Sequence, residues 1–192
     1  GTLRNGTFNF FDASIGPIPW ISFPLENRRK SGLLAPTYAQ STRGGLELSI
    51  PFYWNIAPEQ DAMITPRFIS RRGLMLLNEY RYMDLRYVGD ARYEVLPNDK
   101  VTGSTRSGLS FAHRQTFSPA LSGYVDFNKV SDDQYYVDLS SRVSKTSTVN
   151  LPRLGFLQYN GALGTLPYYI QSKIQRFQTL QDPLNPIVAP YQ

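Results

Sequence analysis

The 192-residue chain contains no cysteine and a single histidine, His113. The absence of cysteine excludes a disulfide framework, a thiol nucleophile and a Cys-based zinc site within it. One histidine leaves no His-pair metal motif and makes a Ser-His-Asp enzyme a thin prospect. No stretch approaches about 18 consecutive uncharged apolar residues, which excludes a membrane-spanning helix. No glycine-rich phosphate loop is present, so no energy-coupling nucleotide site is expected. The net charge is +5, yet the cations are scattered and no basic stripe interleaves with stacking aromatics, so nucleic acid is not an expected partner. No catalytic residue, metal site or cofactor is assigned, and no enzymatic activity is expected.

What the chain has in quantity is aromatic and turn-forming residues. Tyr (13) and Phe (11) dominate the apolar share, and Gly (14) and Pro (14) punctuate it, a mixture suited to strands and turns. Leu46, Leu48, Ile50, Phe52 and Trp54 alternate with Glu47, Ser49, Tyr53 and Asn55, the period of a strand. The same alternation places Ile64, Phe68, Leu74, Tyr80, Tyr82, Tyr93, Leu109, Val125, Phe127, Ile170 and Ile174 on one face. Asp61, Arg67, Glu79, Arg81, Arg92, Glu94, Arg114, Asp126 and Lys173 fall on the other, with Glu47. With Leu33–Gln40 in front and a weaker run over 154–159, about nine hairpin-connected antiparallel strands are predicted.

Alternation alone fits a soluble sandwich as well as a membrane barrel. Run length favours the barrel, because membrane strands take about nine to eleven residues against about five or six in soluble sheets. Aromatics at the strand ends (Phe52, Trp54, Tyr80, Tyr82, Tyr93, Tyr168, Tyr169) suit interfacial girdles. Turns at 56–60, 83–87, 118–120 and 162–164 are short, whereas those at 98–106 and 132–150 are longer and polar, as in outer-membrane barrels. The fold class expected is therefore all-β: an antiparallel transmembrane β-barrel segment preceded by the end of another β domain. A soluble β-sandwich binding module and a porin-like solute channel remain the alternatives.

Residues 1–25 read separately, as a short alternating run over Thr2–Phe11 and a rigid connector over Gly16–Leu25 whose three prolines argue against a central strand. The barrel part is placed at 26–192. Both ends look cut, so the chain is expected to be a piece of a longer protein.

Several stretches resemble the lipopolysaccharide-assembly LptD (OstA) family. They are Phe23-Pro24-Leu25 with Arg28-Arg29-Lys30-Ser31-Gly32-Leu33-Leu34-Ala35-Pro36, then Pro51-Phe52-Tyr53-Trp54-Asn55-Ile56-Ala57-Pro58, then Ile64-Thr65-Pro66-Arg67 through Arg71-Arg72-Gly73. Asn78-Glu79-Tyr80-Arg81-Tyr82, Leu96-Pro97-Asn98-Asp99-Lys100 and Asp126-Phe127-Asn128-Lys129-Val130-Ser131-Asp132 continue it. The resemblance covers 17–135 and thins after Val137; the register over 10–18 departs from it. It implies a Gram-negative outer-membrane barrel of roughly two dozen strands, with residues 1–25 closing a periplasmic jelly roll. The implied partners are lipopolysaccharide, outer-membrane lipids, an LptE-like lipoprotein plug in the lumen and a periplasmic LptA-like bridge. The resemblance also implies a lateral gate at the barrel's first strands.

Pro36 and Pro51 match the strand-weakening positions of that gate, since proline deletes a ladder N–H; the plainer reading is a bulge or bend. Arg28, Arg29 and Lys30 are candidate contacts for lipid phosphates, against a solvated junction or contact with anionic headgroups. The charged lumen-facing residues are expected to hydrate the lumen or to pair across strands rather than to bind one ligand. Pro66 and His113 receive no role.

Overall fold

A computed structural model describes residues 2–10, 13–22, 29–139 and 150–180. Thr2–Phe10 (β1) and Ala13–Ser22 (β2) form an antiparallel ribbon with an irregularity between Gly6 and Phe8. The expected connector is thus a strand as far as Ser22, despite Pro17 and Pro19. Each strand of a two-stranded ribbon has a free edge, which is where prolines are tolerated.

A second, larger sheet takes in all the remaining strands. They are Gly32–Leu33 (β3), Thr37–Ser41 (β4), Gly45–Ser49 (β5), Phe52–Ala57 (β6), Gln60–Ile69 (β7), Gly73–Met83 (β8), Tyr87–Leu96 (β9), Arg106–Thr116 (β10), Leu121–Val130 (β11), Asn150–Leu163 (β12) and Leu166–Thr179 (β13). One short helix, Tyr135–Leu139 (α1), lies between β11 and β12. The sheet order is β13-β12-β11-β10-β9-β8-β7-β5-β4, with β3 on β6 and β6 on β7. β3 and β4 share the first position and β5 and β6 the second, so the nine expected strands are nine positions of one antiparallel meander. From β7 onward each strand is 10 to 14 residues long, the membrane-strand class. The sheet is open between β4 and β13.

Register confirms the two faces. Tyr82 pairs with Gly89, Gly89 with His113, His113 with Val125, Val125 with Gly155, and Gly155 with Ile174. On that outer face Phe68, Leu74, Tyr93, Leu109, Val125, Leu157 and Ile174 are 38% to 71% exposed. Among the described residues no second sheet covers them, which is what a sandwich would require.

The inner face carries the polar residues, several of them ion-paired across strands. Arg67 donates twice to Glu47 Oε2, at 3.1 and 2.5 Å. Arg81 donates to both oxygens of Asp61, at 2.8 and 3.0 Å, and Arg92 lies 2.6 Å from Glu79. A small apolar core sits at the end of the strands where Ile69, Leu96 and Val130 finish. Ile69, Met75, Leu96, Val130, Leu151 and Leu180 converge with Tyr135 and Leu139 of α1. Burying each of those two α1 side chains contributes about 1.5–3 kcal/mol, so the chain after β11 folds inward over the sheet. Gly108 makes room for it: a Cβ there would stand 3.0 Å from the Tyr135 ring.

Candidate functional site

The two prolines expected at a weakened seam interrupt the first two strand positions. β3 ends at Leu33 and β4 resumes at Thr37; β5 ends at Ser49 and β6 resumes at Phe52. On one side of the gap Leu33 faces Phe52, and on the other Thr37 faces Ser49. Residues 34–36 therefore oppose only 50–51, a one-residue bulge that contains Pro36. No such slip separates the second and third positions, because Phe52 pairs with Ile64 and Ser49 with Arg67 in one register.

The surviving hydrogen bonds show which rungs are lost. Leu34 N donates to Pro51 O at 2.8 Å, and Ile50 N donates to Pro66 O at 3.0 Å. In an antiparallel ladder a residue's N–H and C=O face the same neighbour. Pro51 thus withholds an N–H from the first strand, and Pro66 withholds one from the second. Each lost rung removes about 0.5–1.5 kcal/mol. Pro66, which had no role by sequence, completes a line of three prolines across three adjacent strand positions. The signal was legible only as parity: Ile50 lies directly across from Pro66.

The basic cluster is split. Arg28 lies outside the described residues. Arg29 is drawn to Asp61 Oδ2 at 3.4 Å, beside the Tyr53 hydroxyl at 3.2 Å. Lys30 is exposed and has no ion-pair partner among the described residues.

A second constellation lies at the end of the strands that bears the longer loops. Arg106 is 2% exposed and Asp99 fully buried. Arg72 Nη1 donates to Asp99 Oδ2 at 2.6 Å. Arg106 donates to Asp132 at 2.8 and 2.6 Å, to Asp138 at 2.8 Å and to Asp99 at 3.3 Å. Arg106 also lies over the Tyr135 ring, whose hydroxyl donates to Glu94 at 2.7 Å. Burial pushes the Asp99 carboxyl up, but the Val101 amide and the Arg72 and Arg106 guanidiniums outweigh it and hold the carboxyl below its ordinary value. Asp132 is lowered likewise: Arg106 and Ser131 outweigh burial. Burial, with Glu94 nearby, pushes Tyr135 up.

These ion pairs latch the folded-in segment to the hairpin ends. Three of the stretches that carry the family resemblance supply Arg72, Asp99 and Asp132 to the latch; Arg106 and Asp138 lie outside them. Sequence reading missed it because the partners sit in different hairpin ends. Among the described residues no group of three or more His, Cys, Asp or Glu is placed to hold a metal.

The opposite, short-turn end carries an aromatic belt on the outer face. Tyr82 stands 5.5 Å from Tyr80 and 6.0 Å from Tyr87, ring centre to ring centre, and Tyr159 stands 6.2 Å from Tyr168. His113 belongs to it: the Tyr82 hydroxyl and His113 Nδ1 are 2.7 Å apart, across Gly89 of the intervening strand. A Cβ at Gly89 would fall 2.4 Å from the Tyr82 ring, so only glycine allows that reach.

Residues 104–192 match a family model described as LptD, LPS transport system D. LPS-assembly protein LptD of Azoarcus sp. strain BH72 is 47% identical over 193 residues, covering 100% of this chain and 23% of that protein. The Nitrosomonas eutropha protein of the same name is 43% identical, with 100% and 26% covered. The Burkholderia lata one is 40% identical, with 100% and 24% covered. The likeness therefore runs the length of the chain and does not stop near Val137. The chain spans about a quarter of the curated relatives it matches. On the strength of that full-length identity, the chain belongs to the LptD family.

Proposed function

We propose that this chain supplies the first strands of an outer-membrane lipopolysaccharide translocon, which inserts lipopolysaccharide into the outer leaflet through a lateral gate. The observation that carries the gate is the proline line: Pro36, Pro51 and Pro66 weaken the rungs around the first two strands, while β7 to β10 pair without interruption. A seam short of rungs opens at lower cost than the continuous wall beside it. The inner face, rich in paired charges, lines a lumen in which phosphorylated sugars remain hydrated, while acyl chains leave sideways into lipid. Nothing in this reading calls for catalysis; the chain transports and does not transform its substrate.

In the same reading the N-terminal ribbon closes a periplasmic jelly roll that meets an LptA-like bridge, and an LptE-like lipoprotein plugs the lumen. Arg29 and Lys30, just ahead of β3, meet the anionic substrate, and Arg28 is assigned to the same contact on its place in the sequence. The full-length protein carrying Pro36→Ala and Pro51→Ala, as sole copy in a Gram-negative host, is expected to deliver less lipopolysaccharide to the cell surface and to admit large antibiotics. Surface lipopolysaccharide and vancomycin sensitivity equal to wild type would sink the gate.

A further inference from the structure

We infer that the outer wall of β11, β12 and β13 carries a binding site for the phosphate-bearing headgroup of an acylated lipid, held by Lys129, Arg153 and Arg176. The inference rests on the reading of the outer face as lipid-facing, not on the gate.

Register puts the three cations on one face, within two residues of one rung. Phe127 pairs with Arg153, and Arg153 pairs directly with Arg176. Lys129 is two residues beyond Phe127 and so on the same face. All three lie near the long-loop end, since β11 and β13 finish there and β12 begins there. Near the same end the other long strands present Phe68, Leu74, Val95 and Leu109 outward, none of them charged.

Two like charges directly opposed across strands destabilise a sheet. Here no carboxylate among the described residues pairs with Arg153, Arg176 or Lys129. Arg153 is nevertheless fixed in place. Its guanidinium lies 5.4 Å from the Phe127 ring centre, and it donates to Asn128 O at 3.2 Å and to Gln178 Oε1 at 3.0 Å. Arg176 and Lys129 are exposed. An anion between Arg153 and Arg176 relieves the repulsion and takes charge-assisted hydrogen bonds from a preset guanidinium.

The surface below says what the anion is attached to. Val125, Leu157, Tyr159, Ile170 and Ile174 continue down the same face, each at least 40% exposed. A cationic rim above an apolar wall fits a phosphorylated headgroup with acyl chains, and it lies at the opposite end from the aromatic belt. Free phosphate shares the headgroup chemistry but gains nothing from the wall.

The test uses the full-length protein in phosphatidylcholine nanodiscs doped with bisphosphorylated lipid A. A photo-crosslinking amino acid at position 157 reports the lipid beside this wall alone. Capture is expected to saturate with lipid A, and Arg176→Gln and Lys129→Gln are each expected to raise the half-saturating mole fraction about fivefold. Among the described residues neither side chain has a partner whose loss would unfold the strand. Arg153→Lys should retain most capture, as it keeps the charge. Unchanged half-saturation in the Arg176→Gln, Lys129→Gln double variant would overturn the site, as it would if a carboxylate elsewhere in the protein neutralises these cations. Displacement of lipid A by inorganic phosphate at equal phosphate concentration would reduce it to a free-anion site and overturn the lipid assignment. Failure of the wild-type protein to enter nanodiscs would overturn the lipid-facing reading itself.

Discussion

The two ends of the long strands are tied by different chemistry on different faces. At the short-turn end, tilted ring contacts on the outer face join Tyr80, Tyr82 and Tyr87, and Tyr159 with Tyr168, with hydrogen bonds between Tyr82 and His113 and from Tyr80 to Gln60. At the long-loop end, Arg72, Arg106, Asp99, Asp132 and Asp138 lock the inner face. Aromatic contacts are individually small and tolerate loss, about 0.5–1.5 kcal/mol each. A buried ion cluster is unforgiving, because removing one member leaves its partners charged and unsolvated. The difference means that the long-loop end fails all at once and the short-turn end by degrees.

The largest effect expected is that of Arg106→Ala. It takes from Asp132 its only cation among the described residues and leaves Asp99 and Asp138 sharing Arg72 alone, and should cost about 3–5 kcal/mol. Thermal unfolding of the full-length protein in detergent measures it, with faster amide exchange over 135–139 showing that α1 has come loose. Protection over 135–139 equal to wild type would refute the latch.

Acid probes the same cluster without mutation. Asp99 and Asp132 have lowered folded-state pKa values, so their contribution is present above the ordinary carboxylate value of 3.8. It is lost only as pH falls through the lowered values. Exchange protection of α1 is therefore expected to hold at pH 5 and to collapse below 3.8; collapse near neutral pH would contradict the assignment.

Gly89→Val comes next. Its branched side chain must displace the Tyr82 ring and approach Ala112 O, 2.9 Å from an added Cβ, an overpacking cost of about 1–3 kcal/mol. Tyr82→Phe is the mildest, removing one hydrogen bond worth about 0.5–1.5 kcal/mol. A Tyr82→Phe loss as large as that of Arg106→Ala would erase the contrast between the ends.

Much of this was legible beforehand. Alternation of side chains is a local property of extended backbone, so the two faces and the nine strand positions followed from parity, whereas which arginine meets Glu47, Asp61 and Glu79 did not. The weak run at 154–159 proved to be the middle of a 14-residue strand, because Gly155, Asn160 and Gly161 dilute its hydrophobic signal. Pro17 and Pro19 misled in the other direction: the rule against proline in strands holds for ladders flanked on both sides, and β2 is not so flanked.

The order of strands, their faces and the membrane-length runs were thus decided by residue period and turn placement alone, because each hairpin partner is the next segment of chain. The line of three prolines, the cations opposed on the outer wall and the buried latch were decided only in three dimensions. Each depends on inter-strand stagger, where a slip of one residue would move every contact to the opposite face. Arg72 and Asp138 lie far apart in the chain and meet at 3.2 Å only because three hairpins place their ends side by side.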